Sequence, residues 1–143
     1  MTERVLTFYL SGSLCGIDIA VAKEINKNVD YTPVPNSFDH VVGLLNLRGQ
    51  IVTLVDLAQL LHFKETSEKR KSHCIILKKN AMHPDQVGFF IDKMGDVIDV
   101  ASDMYQTAPA NIGDVEDGFI NKVVKLKDEV VLMLNLSKIL KME

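Results

Sequence analysis

The chain has 143 residues, 47% hydrophobic and 24% charged, the composition of one globular domain large enough to bury a core without staples. Its formal net charge of −3 and its lack of tryptophan argue against a general nucleic-acid binder, which normally carries a basic face and stacking aromatics. No apolar run approaches the ~18 residues of a membrane span, so direct membrane insertion is not expected.

Residues 5–19, VLTFYLSGSLCGIDI, predict a hairpin turning at Ser11-Gly12-Ser13. Leu6, Phe8 and Leu10 fall on one strand face; Cys15, Ile17 and Ile19 fall on another, with Asp18 pointing away. The six-residue apolar run after Arg4 is too short for a secretory leader. Cys15 and Cys74 both sit in apolar runs, as buried thiols of a reducing cytosol do, so a cytoplasmic location is expected. Residues 20–29 are ambiguous between helix and strand, and Thr32-Pro33-Val34-Pro35-Asn36 then forbids regular helix.

VVGLLNL and QIVTLV read as two strands joined at Arg48-Gly49, where the backbone can take positive φ, with Asn46 placed to bond the turn. After IVTLV, Asp56 is a helix cap for LAQLLHF, with Gln59 completing a capping box. Residues 64–72, KETSEKRKS, hold six charges in nine positions and read as a solvated linker.

The chain also aligns with itself. IVTLVDLAQLLHF (51–63) matches VVLMLNLSKILKM (130–142), and CGIDIAVAKEI (15–25) matches VGFFIDKMGDV (87–97), pairing Gly16 with Gly88. Preserved order of the matching units favours two copies of a small β-rich unit, with halves near 1–66 and 72–143 and room for strand exchange between them. The expected fold class is all-β with short helices.

Catalytic chemistry finds little support. His40, His62, His73 and His83 lack zinc-site spacing, and the adjacent His73 and Cys74 would face opposite sides of a strand. GDVEDG (113–118) places its glycine one position early for a calcium loop and has Lys125 where a bidentate Glu is required. Gly43 and Gly49 belong to no phosphate-loop motif, and no long helix follows them. No cofactor or metal is expected. Arg48, by contrast, projects from a hairpin tip, where its rigid fork suits a carboxylate or a partner protein.

Gly43-x-x-Asn46-Leu47-Arg48-Gly49 followed by Ile51-Val52-Thr53-Leu54-Val55-Asp56-Leu57 resembles the signature of the CheW family of chemotaxis coupling proteins. Phe8-x-Leu10, Gly16-Ile17-Asp18-Ile19 through Glu24-Ile25, Pro33-Val34-Pro35, and Val87 through Asp92 to Val97-Ile98 are similar to further family blocks in the right order. Thr53 departs from the family's usual proline, which puts the local strand pairing in question.

The resemblance implies two packed, pseudo-duplicated SH3-like barrels of five strands each and a scaffold without catalysis. It implies a protein that joins the cytoplasmic tip of chemoreceptors to the regulatory domain of the histidine kinase CheA. Such a protein would be a monomer when isolated, assembled into arrays at membrane receptor clusters. Carried over by position, Val42, Gly43, Leu44, Asn46, Arg48 and Gly49 become candidates for the kinase side. Ile19, Ala22, Gly88 and Val97 become candidates for the receptor, with Gly88 shaping the approach, and Glu24 becomes the ion-pair partner of Arg48. A CheW-like adaptor of a non-flagellar motility or other signalling pathway is the alternative within this class. A nucleic-acid-binding β-barrel and a small-molecule enzyme are the alternatives outside it.

Overall fold

The computed structural model describes residues 2–27, 30–34, 41–60, 73–78, 86–107 and 120–140. Its strands in the first half are β1 (Thr2–Leu10), β2 (Ser13–Asp18), β3 (Ala22–Asn26), β4 (Thr32–Pro33), β5 (Val41–Leu47) and β6 (Gln50–Val55). Those in the second are β7 (His73–Leu77), β8 (Gln86–Ile91), β9 (Lys93–Ala101), β10 (Tyr105–Thr107), β11 (Ile120–Lys125) and β12 (Val130–Leu134). Short helices α1 (Leu57–Leu60) and α2 (Leu136–Leu140) follow β6 and β12. The ambiguous stretch after β2 resolves into a 3-10 turn, Ile19–Val21, and then strand β3.

Two hairpins turn on a pair of left-handed residues each: Ser11 and Gly12 (φ 50° and 83°), and Arg48 and Gly49 (φ 51° and 85°). Positive φ at both central positions matches the right-handed twist of the flanking strands, which is why such turns close two-residue hairpins. Asn135 accepts from the Lys138 backbone N–H at 3.4 Å, capping α2. Asp56, buried ahead of α1, occupies the matching place, while the Gln59 side chain of the expected capping box lies outside the described residues.

The strands form two six-stranded sheets, ordered β10-β11-β12-β2-β1-β9 and β3-β7-β8-β6-β5-β4. The count exceeds the expected five because each sheet includes one very short strand, the three-residue β10 or the two-residue β4. Correspondingly, the chain divides into two compact units, one of residues 1–20 and 93–143 and the other of residues 21–92. These are not the sequence halves. β1 and β2 share a sheet with β9–β12, while β7 and β8 share one with β3–β6. The units divide at 20/21 and 92/93, and the charged stretch 64–72 lies outside the described residues.

Replacing each of β1–β6 by the strand six places later converts one sheet order into the other. Register follows the same rule. Met133 of β12 lies parallel to Gly16 of β2, and Leu54 of β6 lies parallel to Gly88 of β8, so both self-alignments meet at the same pair. Likewise Leu6 opposes Val97 and Phe8 opposes Met94, as Ile75 opposes Ile25 and Leu77 opposes Ala22. A Cβ on Gly16 would stand 2.8 Å from Val5 Cγ1 and 2.9 Å from Val131 Cγ1. One on Gly88 would stand 2.8 Å from Ile76 Cδ1 and 3.1 Å from Leu54 Cδ2, so glycine admits the neighbouring strands' side chains in both units.

Each unit buries its own core. Val5, Val100, Val124, Val131 and Met133 pack together in the first, with Leu14, Ile98, Met104, Tyr105 and Leu126 half-buried against them. Leu45, Val52, Leu54, Cys74, Ile76 and Phe90 do so in the second, where Tyr31 stands edge-on to Phe90 with ring centroids 5.3 Å apart. Thr7 is buried within β1, its hydroxyl donating to the Asp96 carbonyl at 2.5 Å, which satisfies a polar group between apolar neighbours. Thr53 stands in an interior strand, opposite Leu44 on one side and Val87 on the other, and keeps the N–H a proline would remove.

Candidate functional site

The β5–β6 tip in the second unit gathers most of the polar residues singled out by sequence. Gly49 N–H donates to Asn46 Oδ1 at 3.0 Å, locking the two-residue turn from beneath. Arg48, a non-glycine residue at φ 51°, is held in a sparsely populated conformation that costs of order 1 kcal/mol. Its guanidinium Nη2 donates to Glu24 Oε2 on β3. The amide of Asn26, oriented to donate, reaches Glu24 Oε1 at 2.9 Å. Glu24 is therefore gripped on both oxygens, and the strand edge is tied to the hairpin tip.

Exposure decides what this clamp is worth. The Arg48 side chain is 67% exposed and that of Glu24 24% exposed. Water screens such a pair, so its net contribution to stability stays under about 1 kcal/mol. A small energetic role and a strained backbone leave orientation as the clamp's main effect: it fixes where a charged fork points.

Around the tip, Val42 and Leu44 are half-buried and Asn46 is exposed. Gly43 is buried in β5, where an added Cβ would collide with the Thr32 carbonyl oxygen and come within 2.9 Å of the Tyr31 ring. Ile51, 58% exposed next to the turn, joins Val21 and Ile25 as large apolar side chains that this unit leaves in water. Sequence reading passed over Ile51. Its signal was parity: Ile51 shares a strand face with the polar Thr53, whereas Val52 and Leu54 face the core.

The four receptor candidates are distributed between the units. Ile19, half-buried in the 3-10 turn, and Val97, 47% exposed on β9, belong to the first unit. Ala22, half-buried on β3, and Gly88 belong to the second. Gly88 is buried, and an added Cβ there would crowd Ile76 and Leu54. In the first unit Val130, at 49%, repeats the exposure of Ile51, its aligned counterpart.

Other chemistry is weak here. Burial pushes the Cys15 thiol up to about 12 and the Cys74 thiol up to about 11, the latter helped by the nearby Glu24 charge. Thiols held that far above neutrality carry almost no thiolate and make poor nucleophiles. Among the described residues no group of three His, Cys, Asp or Glu side chains could hold a metal ion. His40, His62, His83 and the acidic loop 113–118 lie outside the described residues.

Against known proteins, a family model described as the CheW-like domain matches residues 4–143. The chain belongs to the CheW family. Chemotaxis protein CheW of Treponema pallidum is 29% identical over 140 residues, covering 95% of this chain and 81% of its own. That of Bacillus subtilis is 26% identical over 141 residues, covering 99% and 88%. Among solved structures, the scaffolding protein TtCheW from Thermoanaerobacter tengcongensis superposes with a TM-score of 0.81 at 23% identity, covering 94% of this chain and 90% of that one. The fold is accordingly that of a CheW-like domain, with two SH3-like β-subdomains. Members of this family are adaptor or scaffold proteins of chemotaxis and not enzymes. No helix among the described residues is long and apolar enough to cross a membrane.

Proposed function

We propose that this CheW-like protein couples chemoreceptors to the histidine kinase CheA, binding the kinase's regulatory domain through the β5–β6 tip and the receptor's cytoplasmic tip elsewhere. The observation that carries this reading is the clamped tip: Arg48 held by Glu24, with Ile51 exposed beside it. An exposed apolar side chain next to an oriented arginine is the composition of an interface centre, where Arg and apolar anchors contribute most. Val42, Leu44, Asn46 and Gly49 shape that surface, Gly43 lets the neighbouring β4 strand approach β5, and Ile19, Ala22 and Val97 are the receptor contacts. Coupling requires that both partners bind with free energies that differ between signalling states. The protein acts in the cytoplasm as a monomer recruited into receptor clusters, in flagellar chemotaxis or a related motility array.

Calorimetric titration with the kinase regulatory domain and with a receptor tip fragment tests this directly, and binding to neither overturns it. Arg48→Glu, which sets two carboxylates against each other, is expected to abolish kinase binding and activation. Its melting temperature should move by no more than ~4 °C, since an exposed pair is lost. A much larger drop with unchanged binding would make the clamp structural.

A further inference from the structure

The first unit holds a cleft where the second holds its clamp. By the register of the repeat, Glu24, Asn26 and Arg48 correspond to Asp96, Ile98 and Lys127. The strand positions of Asp96 and Ile98 are kept, but the chemistry is not, and Lys127 does not take the positive φ of Arg48. Lys127 makes no ion pair with Asp96, and Ile98 cannot donate to a carboxylate. Between the stretch of β9 where its register against β1 slips, from Val97 to Met94, and the β11–β12 turn there is instead an open cleft of about 250 Å³. Its apolar floor is Leu14, Met94, Ile98 and Leu126, three of which pack onto the unit's core. Asp96 and Glu129 stand among its lining residues. Lys93, also in the lining, has its ammonium 5.9 Å from the centre of the Tyr9 ring, whose hydroxyl donates to Glu129 at 3.5 Å.

We infer that this cleft receives an arginine side chain from a protein partner, supplying in trans the cation that Arg48 supplies in cis in the second unit. A long cationic side chain matches the site's two parts: its methylenes lie along Leu14, Met94, Ile98 and Leu126, and its guanidinium reaches Asp96 and Glu129. Two carboxylates against one lysine leave a surplus of one negative charge for the incoming fork. The reading of the protein as an adaptor enters only in taking the occupant to be a protein side chain, and the site is tested without any named partner.

Titrating N-acetyl-arginine methylamide into the ¹⁵N-labelled full chain should shift the amides of residues 93–98 and 126–130 in a saturable, salt-sensitive way. The isosteric, uncharged citrulline derivative should bind about tenfold more weakly, because only the cation is held by charge-assisted bonds. Asp96→Asn combined with Glu129→Gln should remove the difference between the two probes. A variant carrying Asp96→Glu, Ile98→Asn, Lys127→Arg and Asp128→Gly, which supplies the clamp's side chains and its turn glycine in cis, should exclude the arginine probe while keeping a native spectrum. Absence of localised shifts overturns the proposal, as does equal binding of the citrulline compound. Tighter binding of free L-arginine would mark a metabolite site and overturn it as well.

Discussion

The two units share their strand order and register, yet they treat the same three surface positions differently. In one, Glu24, Asn26 and Arg48 close the gap between strand edge and hairpin tip; in the other, Asp96, Ile98 and Lys127 leave it open. Gly43 of the second unit, crowded by the Thr32 backbone, likewise faces Lys122 in the register of the first. Framework positions such as Gly16 and Gly88 agree because side chains from both neighbouring strands, Val5 and Val131 or Ile76 and Leu54, leave no room for another. The two glycines at the centre of each sheet are kept, whereas positions at the hairpin tips, and packed ones such as Gly43 and Gln86, have diverged with their local neighbours.

The largest test is of the shared framework. Gly16→Ala and Gly88→Ala should each destabilise by ~1–3 kcal/mol in urea titrations, the range for a methyl forced into a packed core. Gly16→Ala should cost more, because it meets two branched valine methyls whereas Gly88→Ala first meets the end of the flexible Ile76 side chain. Near-neutral substitution at either glycine would break the equivalence of the units.

A smaller effect, of opposite sign, is expected at Gln86. It is 3% exposed and its Oε1 finds no hydrogen-bond partner among the described residues, whereas the register places Leu14 at its counterpart in the first unit. Gln86→Leu removes an unsatisfied buried acceptor and should raise stability by ~1 kcal/mol, read as a higher urea midpoint with unchanged slope. Loss of stability would mean that the amide nitrogen is doing structural work there.

The smallest stability effect, and the sharpest functional contrast, is expected from Arg48→Asn. Asn-Gly is the preferred pair for a hairpin turn with both φ positive, so the loss of an exposed ion pair is offset by relief of backbone strain. Melting temperature should hold or rise slightly while binding of the kinase regulatory domain falls. If binding survives, Arg48 matters for the turn and not for the partner.

Much of this architecture was legible in the residues. Alternating apolar runs and Ser-Gly or Arg-Gly turns gave away the hairpins, because strand period and positive φ are local demands on side-chain and backbone chemistry. The gapless self-alignments matched Leu54 with Met133 and Gly16 with Gly88, and the structure pairs these equivalents alike, Met133 with Gly16 and Leu54 with Gly88. Less legible were Val5 and Thr7 of β1, buried alongside Leu6 and Phe8, since alternation cannot reveal a strand covered on both faces. Ile51 escaped notice for the converse reason, as an apolar residue in an apolar run that turns out to face water.

Local order thus came from the sequence: which stretches are strands, where they turn, and which blocks repeat. Which strands would share a sheet was decided only in three dimensions. Local chemistry is indifferent to whether β6 lies beside a strand of its own half or beside β8, and only burial of a complete core selects the second. The same holds for the clamp and the cleft. Glu24 and Arg48 are 24 residues apart, and neither their pairing nor its absence between Asp96 and Lys127 is written in spacing. Long-range packing and the positive-φ turn bring Arg48 onto Glu24, whereas Lys127, on a turn of different backbone, makes no ion pair with Asp96.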